Sequence, residues 1–179
     1  MNKEELIKNI FQTKKGIMYP KDLLNKGYLI FYPSEGFYLT EIQYDIFMKE
    51  LKTLNLIEKI IGIDIEFLDD NEELAVDESR NLEPFNYDNY KGNLMLFENC
   101  IIDNELRWSI CLYQDFWGII YGPKELLEKV SMQYDFKKDL KLFEKEILSE
   151  IKKEKTTKLF KKLINSSYIN SIKDKNDIN

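Results

Sequence analysis

Apolar residues recur along the chain at two different periods, which separates predicted helices from predicted strands. At 61–68 the odd positions are Ile or Phe, whereas the even positions include Asp64 and Glu66. A period of two is typical of a strand that is buried on one face, so the other face of this strand is predicted to be acidic. Another strand is predicted at 28–32, where the residues YLIFY have the composition of a buried strand.

Three further apolar segments follow Gly92 and are rich in β-forming residues. They span 94–102, 107–113 and 116–121, and only short polar stretches separate them. Short connections join strands that are antiparallel neighbours. We therefore predict a β-meander that forms the core of the fold.

Helical spacing of apolar residues is found on either side of these strands. A short amphipathic helix is predicted at 3–12. A longer helix, at about 41–54, has the clearest start, because Thr40 and Gln43 form a capping box and Leu39 can pack on Tyr44. The apolar residues that this helix is predicted to bury are Ile42, Ile46, Phe47, Leu51 and Leu54.

The C-terminal part of the chain is predicted to be helical. Pro123 at a first helical position opens one helix, and apolar residues at helical spacing predict a helix pair across 136–164. We therefore predict an α+β fold in which an antiparallel sheet packs against N-terminal and C-terminal helices. Residues 1–164 are expected to form a single domain, and 165–179 a tail that frays.

Residues 69–89 are too polar to form core, and they predict a long surface loop after the acidic strand. The acidic residues in it are Asp69, Asp70, Glu72, Glu73, Asp77 and Glu78. Tyr87 and Tyr90 follow, and tyrosine is enriched at protein–protein interfaces. Together with Asp64 and Glu66, these residues form the predicted partner-binding surface, which we call the acidic surface.

Charge is unevenly distributed along the 179 residues, whose net charge is −6. Residues 1–135 carry 14 Lys and Arg against 25 Asp and Glu, a net −11, whereas residues 136–179 carry 12 against 7, a net +5. A domain this acidic repels nucleic acid and anionic membranes and attracts basic proteins. Acids interleaved among the C-terminal lysines also disfavour nucleic-acid binding there. The expected partner is therefore a basic protein.

The N-terminal residues lack the apolar run of a secretory signal, and no apolar segment approaches the roughly 20 residues that span a bilayer. We therefore expect a cytoplasmic protein that does not enter a membrane. Cys100 and Cys111 lie on neighbouring predicted strands and fit no CxxC spacing. We expect them to be buried, inert thiols.

The absence of histidine excludes Ser-His-Asp and Cys-His nucleophiles and His-ligated zinc. Asp64 and Glu66 are the one enzyme-like pattern, because residues two apart on a strand project from the same face and can share divalent cations. This segment resembles the DxE opening of the proofreading-type exonucleases. It departs from that family at Leu68, where Thr is usual, and it lacks the family's later His or Tyr motif.

In size, acidity, α+β pattern and lack of a catalytic set, the chain resembles the small cytoplasmic immunity proteins that bacteria make against basic toxins, which are often nucleases. This resemblance implies a stoichiometric inhibitor whose acidic surface covers a cationic active site, with no catalytic residue, metal or cofactor. Two alternatives stay open. One is a divalent-metal-dependent nuclease or phosphoryl-transfer enzyme that uses Asp64 and Glu66, and the other is an acidic scaffold or regulatory binding module. Edge strands of the meander also leave homodimerisation open.

Overall fold

The computed structural model of the chain describes residues 11–14, 17–21, 27–32, 38–67, 74–81, 86–93, 99–113, 117–150 and 154–169. The strands within these ranges are β1 (Phe11–Lys14), β2 (Ile17–Pro20), β3 (Tyr28–Phe31), β4 (Ile60–Phe67), β5 (Leu74–Asn81), β6 (Asn99–Asp103), β7 (Ser109–Tyr113) and β8 (Trp117–Tyr121). The helices are α1 (Glu41–Thr53), α2 (Tyr87–Asn93), α3 (Lys124–Ser131), α4 (Phe136–Glu150) and α5 (Glu154–Ser166). The predicted α+β class is confirmed.

Six strands form one antiparallel sheet in the order β3-β8-β7-β6-β4-β5, and β1 and β2 form a separate hairpin. Strands β6, β7 and β8 pair in sequence order, which confirms the predicted meander. The predicted strands at 28–32 and 61–68 are also present, as β3 and β4. Every residue of β3, β6, β7 and β8 is buried, so both faces of the sheet are covered at its centre.

Different helices cover the two faces of the sheet. On one face, the centroid of the Trp117 ring lies 4.8 Å from that of Phe143 on α4 and 5.6 Å from that of Phe160 on α5. On the other face, the Trp108 ring lies 5.3 Å from the ring of Phe47 on α1. Alternation along β7 and its register with β8 assign the two tryptophans to opposite faces. The core is therefore a sheet between two helical layers.

Helix α1 begins as the sequence predicts. The Thr40 hydroxyl oxygen accepts a hydrogen bond from the Gln43 backbone N–H, and the Gln43 side chain accepts one from the Thr40 backbone N–H. Phe47 is buried as expected, but Ile42 is 68% exposed and its predicted burial is wrong. Gln43 and Glu50 are buried instead, because both make hydrogen bonds to the turn between α3 and α4.

The predicted C-terminal helix pair is confirmed as α4 and α5. Pro123 is the residue that caps α3 and not its first helical residue, a difference of one position. The chain stays packed beyond the predicted domain boundary, since α5 extends to Ser166, and Tyr168 and Ile169 are each 7% exposed. The prediction that the chain frays from residue 165 is therefore wrong for residues 165–169. Residues 170–179 lie outside the described residues.

Two predictions from the N-terminal half are corrected. The region 69–89 is not one long loop, because β5 and the start of α2 lie within it. Leu74, Ala75 and Val76 pair with the end of β4, so the apolar half of β5 joins the sheet despite its acidic neighbours. Of the predicted helix at 3–12, residues 3–10 lie outside the described residues, and 11–12 belong to strand β1.

Candidate functional site

Strands β4 and β5 bring together four acidic positions that are distant in the sequence. The antiparallel register places Glu78 of β5 opposite Asp64 of β4, and Ala75 opposite Glu66. On its other side, Asp64 is opposite Asn99 of β6. Because β5 is the last strand of the sheet, Glu78 lies on the edge strand and Asp64 lies on the strand next to it. We call the strand pair β4 and β5 the acidic edge.

The pairing of β4 with β5 is interrupted at one position. Asp64 pairs with Glu78, but the next residue, Ile65, pairs with Val76, so Asp77 has no partner in the register. Such a β-bulge twists a strand and changes the direction of its side chains, and bulges are frequent at sheet edges and beside functional sites. The extra residue in β5 is thus one of the acids of the acidic surface.

Like charges at directly opposed positions destabilise a sheet by a few tenths of a kcal/mol up to about 1 kcal/mol. The acidic edge nevertheless places the carboxylic residues Asp64 and Glu78 at opposed positions, with Asp77 beside them. Departures from a local rule of this kind are expected where a protein uses the site for binding or catalysis. A cation or a basic protein would relieve the repulsion.

The remaining members of the acidic surface are not all placed at this edge. Asp69, Asp70, Glu72 and Glu73 lie outside the described residues. Tyr87 and Tyr90 both belong to α2. Asn86 precedes this helix, and its Oδ1 atom accepts a hydrogen bond of 2.8 Å from the Asn89 backbone N–H. The predicted surface thus divides into an edge of the sheet and a short helix.

Tyr90 does not fit the expectation of an exposed tyrosine. Its side chain is 0% exposed, and its hydroxyl accepts a hydrogen bond of 2.8 Å from the Leu39 backbone N–H. Burial raises the pKa of this hydroxyl well above its ordinary value. Tyr90 therefore anchors α2 to the segment before α1, and its assignment as an exposed contact is corrected.

Tyr87 is half-buried and stays accessible in part. Its hydroxyl donates a hydrogen bond of 3.0 Å to the Leu39 carbonyl, and its ring centroid lies 5.4 Å from that of Tyr44 on α1. The Tyr44 ring in turn stacks on Tyr90 at 5.3 Å. These three rings join α1 to α2 and hold Tyr87 in position, and the Lys91 ammonium group lies 5.9 Å from the centroid of the Tyr87 ring.

A buried polar chain, which the sequence did not indicate, lies at the opposite edge of the sheet. Asp139 of α4 is 3% exposed, and its carboxylate accepts hydrogen bonds of 2.9 Å from the Tyr32 backbone N–H and 3.2 Å from the Tyr134 hydroxyl. The Tyr134 hydroxyl accepts a further bond, 2.9 Å, from Gln43 Nε2. The chain connects α1, the turn before α4 and the end of β3.

Burial, which disfavours the charged form, raises the pKa of Asp139 despite the two hydrogen bonds that it accepts. The pKa of Tyr134 is raised to about 12, first by burial and then by the nearby Asp139 carboxylate. Both groups hold structural elements together.

The two cysteines lie directly opposite each other, Cys100 on β6 and Cys111 on β7, and both are buried and not joined by a disulfide. Among the side chains that the structure describes, no group of three or more Cys, Asp or Glu residues could hold a metal ion, and the side chains of 64–67 and 74–81 lie outside that set. Nor does any helix in the described ranges have the length and apolarity needed to cross a membrane.

Comparisons of this chain with protein-family models, with curated proteins and with solved structures found no match.

Proposed function

We propose that the protein is a stoichiometric inhibitor that binds a basic protein through the acidic edge. The observation that carries this proposal is the β4–β5 register, which opposes Asp64 to Glu78 and leaves Asp77 as an extra residue in the bulge. A site of this kind is unfavourable in the isolated protein and becomes favourable when a cationic surface covers it. The partner would thus add positive charge to that of Arg80, which β5 carries opposite Gly62.

The position of these residues at an edge of the sheet supports the same function. The outer side of a terminal strand presents backbone N–H and C=O groups that can pair with another chain, as in binding by strand addition. Strand β5 has eight residues, which is long for an edge strand. Charge would then steer the encounter, and backbone hydrogen bonds would add affinity.

The class of partner that we propose is a basic toxin, for which a nuclease domain is the leading example. Nucleases hold phosphate backbones on cationic surfaces, and an acidic protein can occupy such a surface in place of the substrate. The net charge of −11 over residues 1–135 favours rapid association with such a partner. Inhibition by this route needs no catalytic group or cofactor in the inhibitor.

The test begins with capture of a partner from the native organism, with the full chain as bait. Association rates with the captured protein are then measured at several salt concentrations for the wild type and for the triple variant Asp64→Asn, Asp77→Asn, Glu78→Gln. A matched control neutralises three exposed helical acids, Glu125, Glu128 and Glu144, to Gln. We expect roughly a tenfold or larger loss of association rate at low salt for the edge variant, and a much smaller loss for the control.

Equal losses in the two triple variants would show that net charge, and not the acidic edge, determines binding. A captured protein that is basic but keeps its activity in the complex would favour the scaffold function over inhibition. Capture of acidic proteins alone would overturn the proposal. These outcomes are distinguishable because the variants differ in position and not in total charge.

A metal-dependent phosphoryl-transfer enzyme remains the second candidate, since the same register adds Glu78 to the Asp64 and Glu66 pair. Carboxylates gathered in this way are the ligands of two-metal phosphoryl-transfer sites. Calorimetric titration with Mn²⁺ tests it directly. Tight binding that is lost in Asp64→Asn, with nuclease activity that depends on the metal, would replace the inhibitor proposal.

A further inference from the structure

A groove lies between α1 and the start of α2, away from the strands of the acidic edge. Its volume is about 660 Å³, within the range of roughly 300–1,000 Å³ that is usual for small-molecule sites. Six of its lining residues belong to one helix, α1, and the other two are Asn86 and Tyr87 at the start of α2. The groove is therefore formed by two helices whose relative position the tyrosine rings fix.

The inner wall of the groove is largely apolar. Tyr44 and Met48 of α1 line it and are 5% and 6% exposed, so only a small part of each side chain reaches the groove. The Tyr87 ring forms the facing wall and is held by its hydroxyl at the Leu39 carbonyl. A planar ring can lie against such a wall, where aromatic pairs are more favourable than their buried area alone would indicate.

The rim of the groove is cationic at one end. Lys49 and Lys52, one helical turn apart, line it near the C-terminus of α1. The Lys49 ammonium group donates a hydrogen bond of 3.0 Å to Gln133 Oε1, on the side of the turn between α3 and α4. Lys52 is exposed, and its ammonium group makes no hydrogen bond or ion pair with the described residues. Lys52 is therefore one donor available to a ligand.

Among the described residues, Asp45 is the one carboxylate that lines the groove, and it lies about two helical turns before Lys52. It stands beside the tyrosine wall, and its charge is one of the causes that raise the pKa of Tyr44. An anionic group would therefore be repelled at the Asp45 end and attracted at the Lys52 end. The groove is therefore more negative at its Asp45 end and more positive at its Lys52 end.

We propose that this groove binds a small molecule that carries a planar ring and an anionic group. The ring lies against Tyr87 and Met48, and the phosphate or carboxylate group meets the ammonium group of Lys52. The site does not share residues with the acidic edge, so it is independent of the proposed inhibitor function. A ligand here would contact α1 and the start of α2.

Phenyl phosphate is a suitable probe because it combines both features, and phenol and inorganic phosphate supply them separately. Carbon-13 labelling of the methionine methyl groups reports binding at Met48, and the 75% exposed Met132 serves as an internal control outside this groove. We expect phenyl phosphate to shift the Met48 methyl resonance saturably and to leave Met132 unchanged. Phenol or phosphate alone should bind at least several-fold more weakly.

Two substitutions should change the affinity in opposite directions. Lys52→Gln should weaken phenyl phosphate binding roughly threefold to fivefold, and Asp45→Asn should tighten it by about twofold, as expected for exposed charge pairs. Lys124→Gln, at an exposed lysine of α3, should leave it unchanged. All three residues are exposed, so circular dichroism should show the same fold in each variant.

A Met48 resonance that stays fixed at millimolar phenyl phosphate would overturn the proposal. Equal affinity in wild type and Lys52→Gln would overturn the anionic part of it. If inorganic phosphate bound as tightly as phenyl phosphate, the ring would have no role and the proposal would again be wrong. None of these outcomes affects the test of the acidic edge.

Discussion

The two edges of the six-stranded sheet differ in length, burial and charge. At one edge, β3 has four residues that are at most 1% exposed, and the Tyr28 hydroxyl donates a hydrogen bond to the Leu163 carbonyl of α5. Just beyond β3, the Tyr32 N–H donates to Asp139. At the other edge, β5 is twice as long and carries acids and a bulge. Helices α4 and α5 cover the β3 edge, whereas the β5 edge carries acidic residues.

With the proposed function, this difference would separate stability from binding within a single sheet. An edge that is covered by helices contributes buried apolar area and satisfied backbone groups. Opposed carboxylates do not stabilise a sheet, so those positions are open to selection for a partner. The comparison predicts that substitutions at the β3 edge change stability, whereas substitutions at the β5 edge change association.

The largest effect is expected where β3 packs on β8. The Phe31 ring lies over Gly118, its partner in the register, and a Cβ on Gly118 would overlap the ring and approach the Cys111 carbonyl to 2.8 Å. Phe31→Ala should lower the free energy of unfolding by about 3–5 kcal/mol, and Gly118→Ala by about 1–3 kcal/mol. Urea unfolding followed by fluorescence measures both.

A double-mutant cycle sharpens this prediction. Phe31→Leu removes part of the ring that meets the added methyl group, so Gly118→Ala should be less harmful in the Phe31→Leu background than in wild type. Additive effects would show that the backbone contact at Cys111, and not the ring, excludes a side chain at 118. With either result, substitutions at the β3 edge should lower the free energy of unfolding.

A smaller loss is expected at Asp139. Asp139→Ala leaves the buried Tyr32 N–H and the Tyr134 hydroxyl without their acceptor, which should lower the free energy of unfolding by about 1–3 kcal/mol. Asp139→Asn keeps an acceptor and should be less destabilising. Asp135→Asn, at the exposed cap of α4, is the matched control.

The pH dependence of stability gives a second readout for Asp139. Its pKa is raised in the folded protein, so the folded state holds the proton more tightly than the unfolded chain. The contribution of this group to stability is therefore greatest at low pH, and it falls as the pH rises from the ordinary aspartate pKa through the raised one. Asp139→Asn should remove that component. A variant with an unchanged pH profile would contradict the prediction.

The smallest stability change is expected at the acidic edge. Glu78→Gln removes the charge opposite Asp64 and should raise the free energy of unfolding by about 0.5 kcal/mol. The gain should shrink at high salt. Thermal unfolding at two salt concentrations, with Glu128→Gln on α3 as the control, measures it. Destabilisation by Glu78→Gln would mean that this carboxylate is paired within the molecule, and the contrast between the two edges would fail.

Much of the sheet was predictable because its patterns are local. Alternation at 61–68 depends only on neighbouring residues, and the capping box of Thr40 and Gln43 lies within four residues. The meander was predictable for the same reason, since β6, β7 and β8 are joined by short connections. Such features are set by local propensity and turn chemistry, which a single sequence contains.

The features that were missed depend on contacts between distant segments. Strand β5 has only three consecutive apolar residues, at 74–76, and it becomes a strand because β4 offers it a partner. Tyr90 is buried by its contacts with Leu39 and Tyr44. Asp139 is buried where it accepts a hydrogen bond from Tyr32, which is 107 residues away in the sequence. The strand that carries Asp64 and Glu66 was predictable, but the pairing of β4 with β5 and the burial of Tyr90 depend on these long-range contacts.

The pairing of β3 with β8 has a consequence during protein synthesis. Tyr28 leaves the ribosome early, but its partner Tyr121 is 93 positions further along the chain. At about 5–20 residues per second, β3 must wait roughly 5–20 s for the strand that covers it. Throughout that interval the apolar segment Tyr28–Phe31 is exposed in the nascent chain, where a chaperone that recognises short hydrophobic stretches would bind it first.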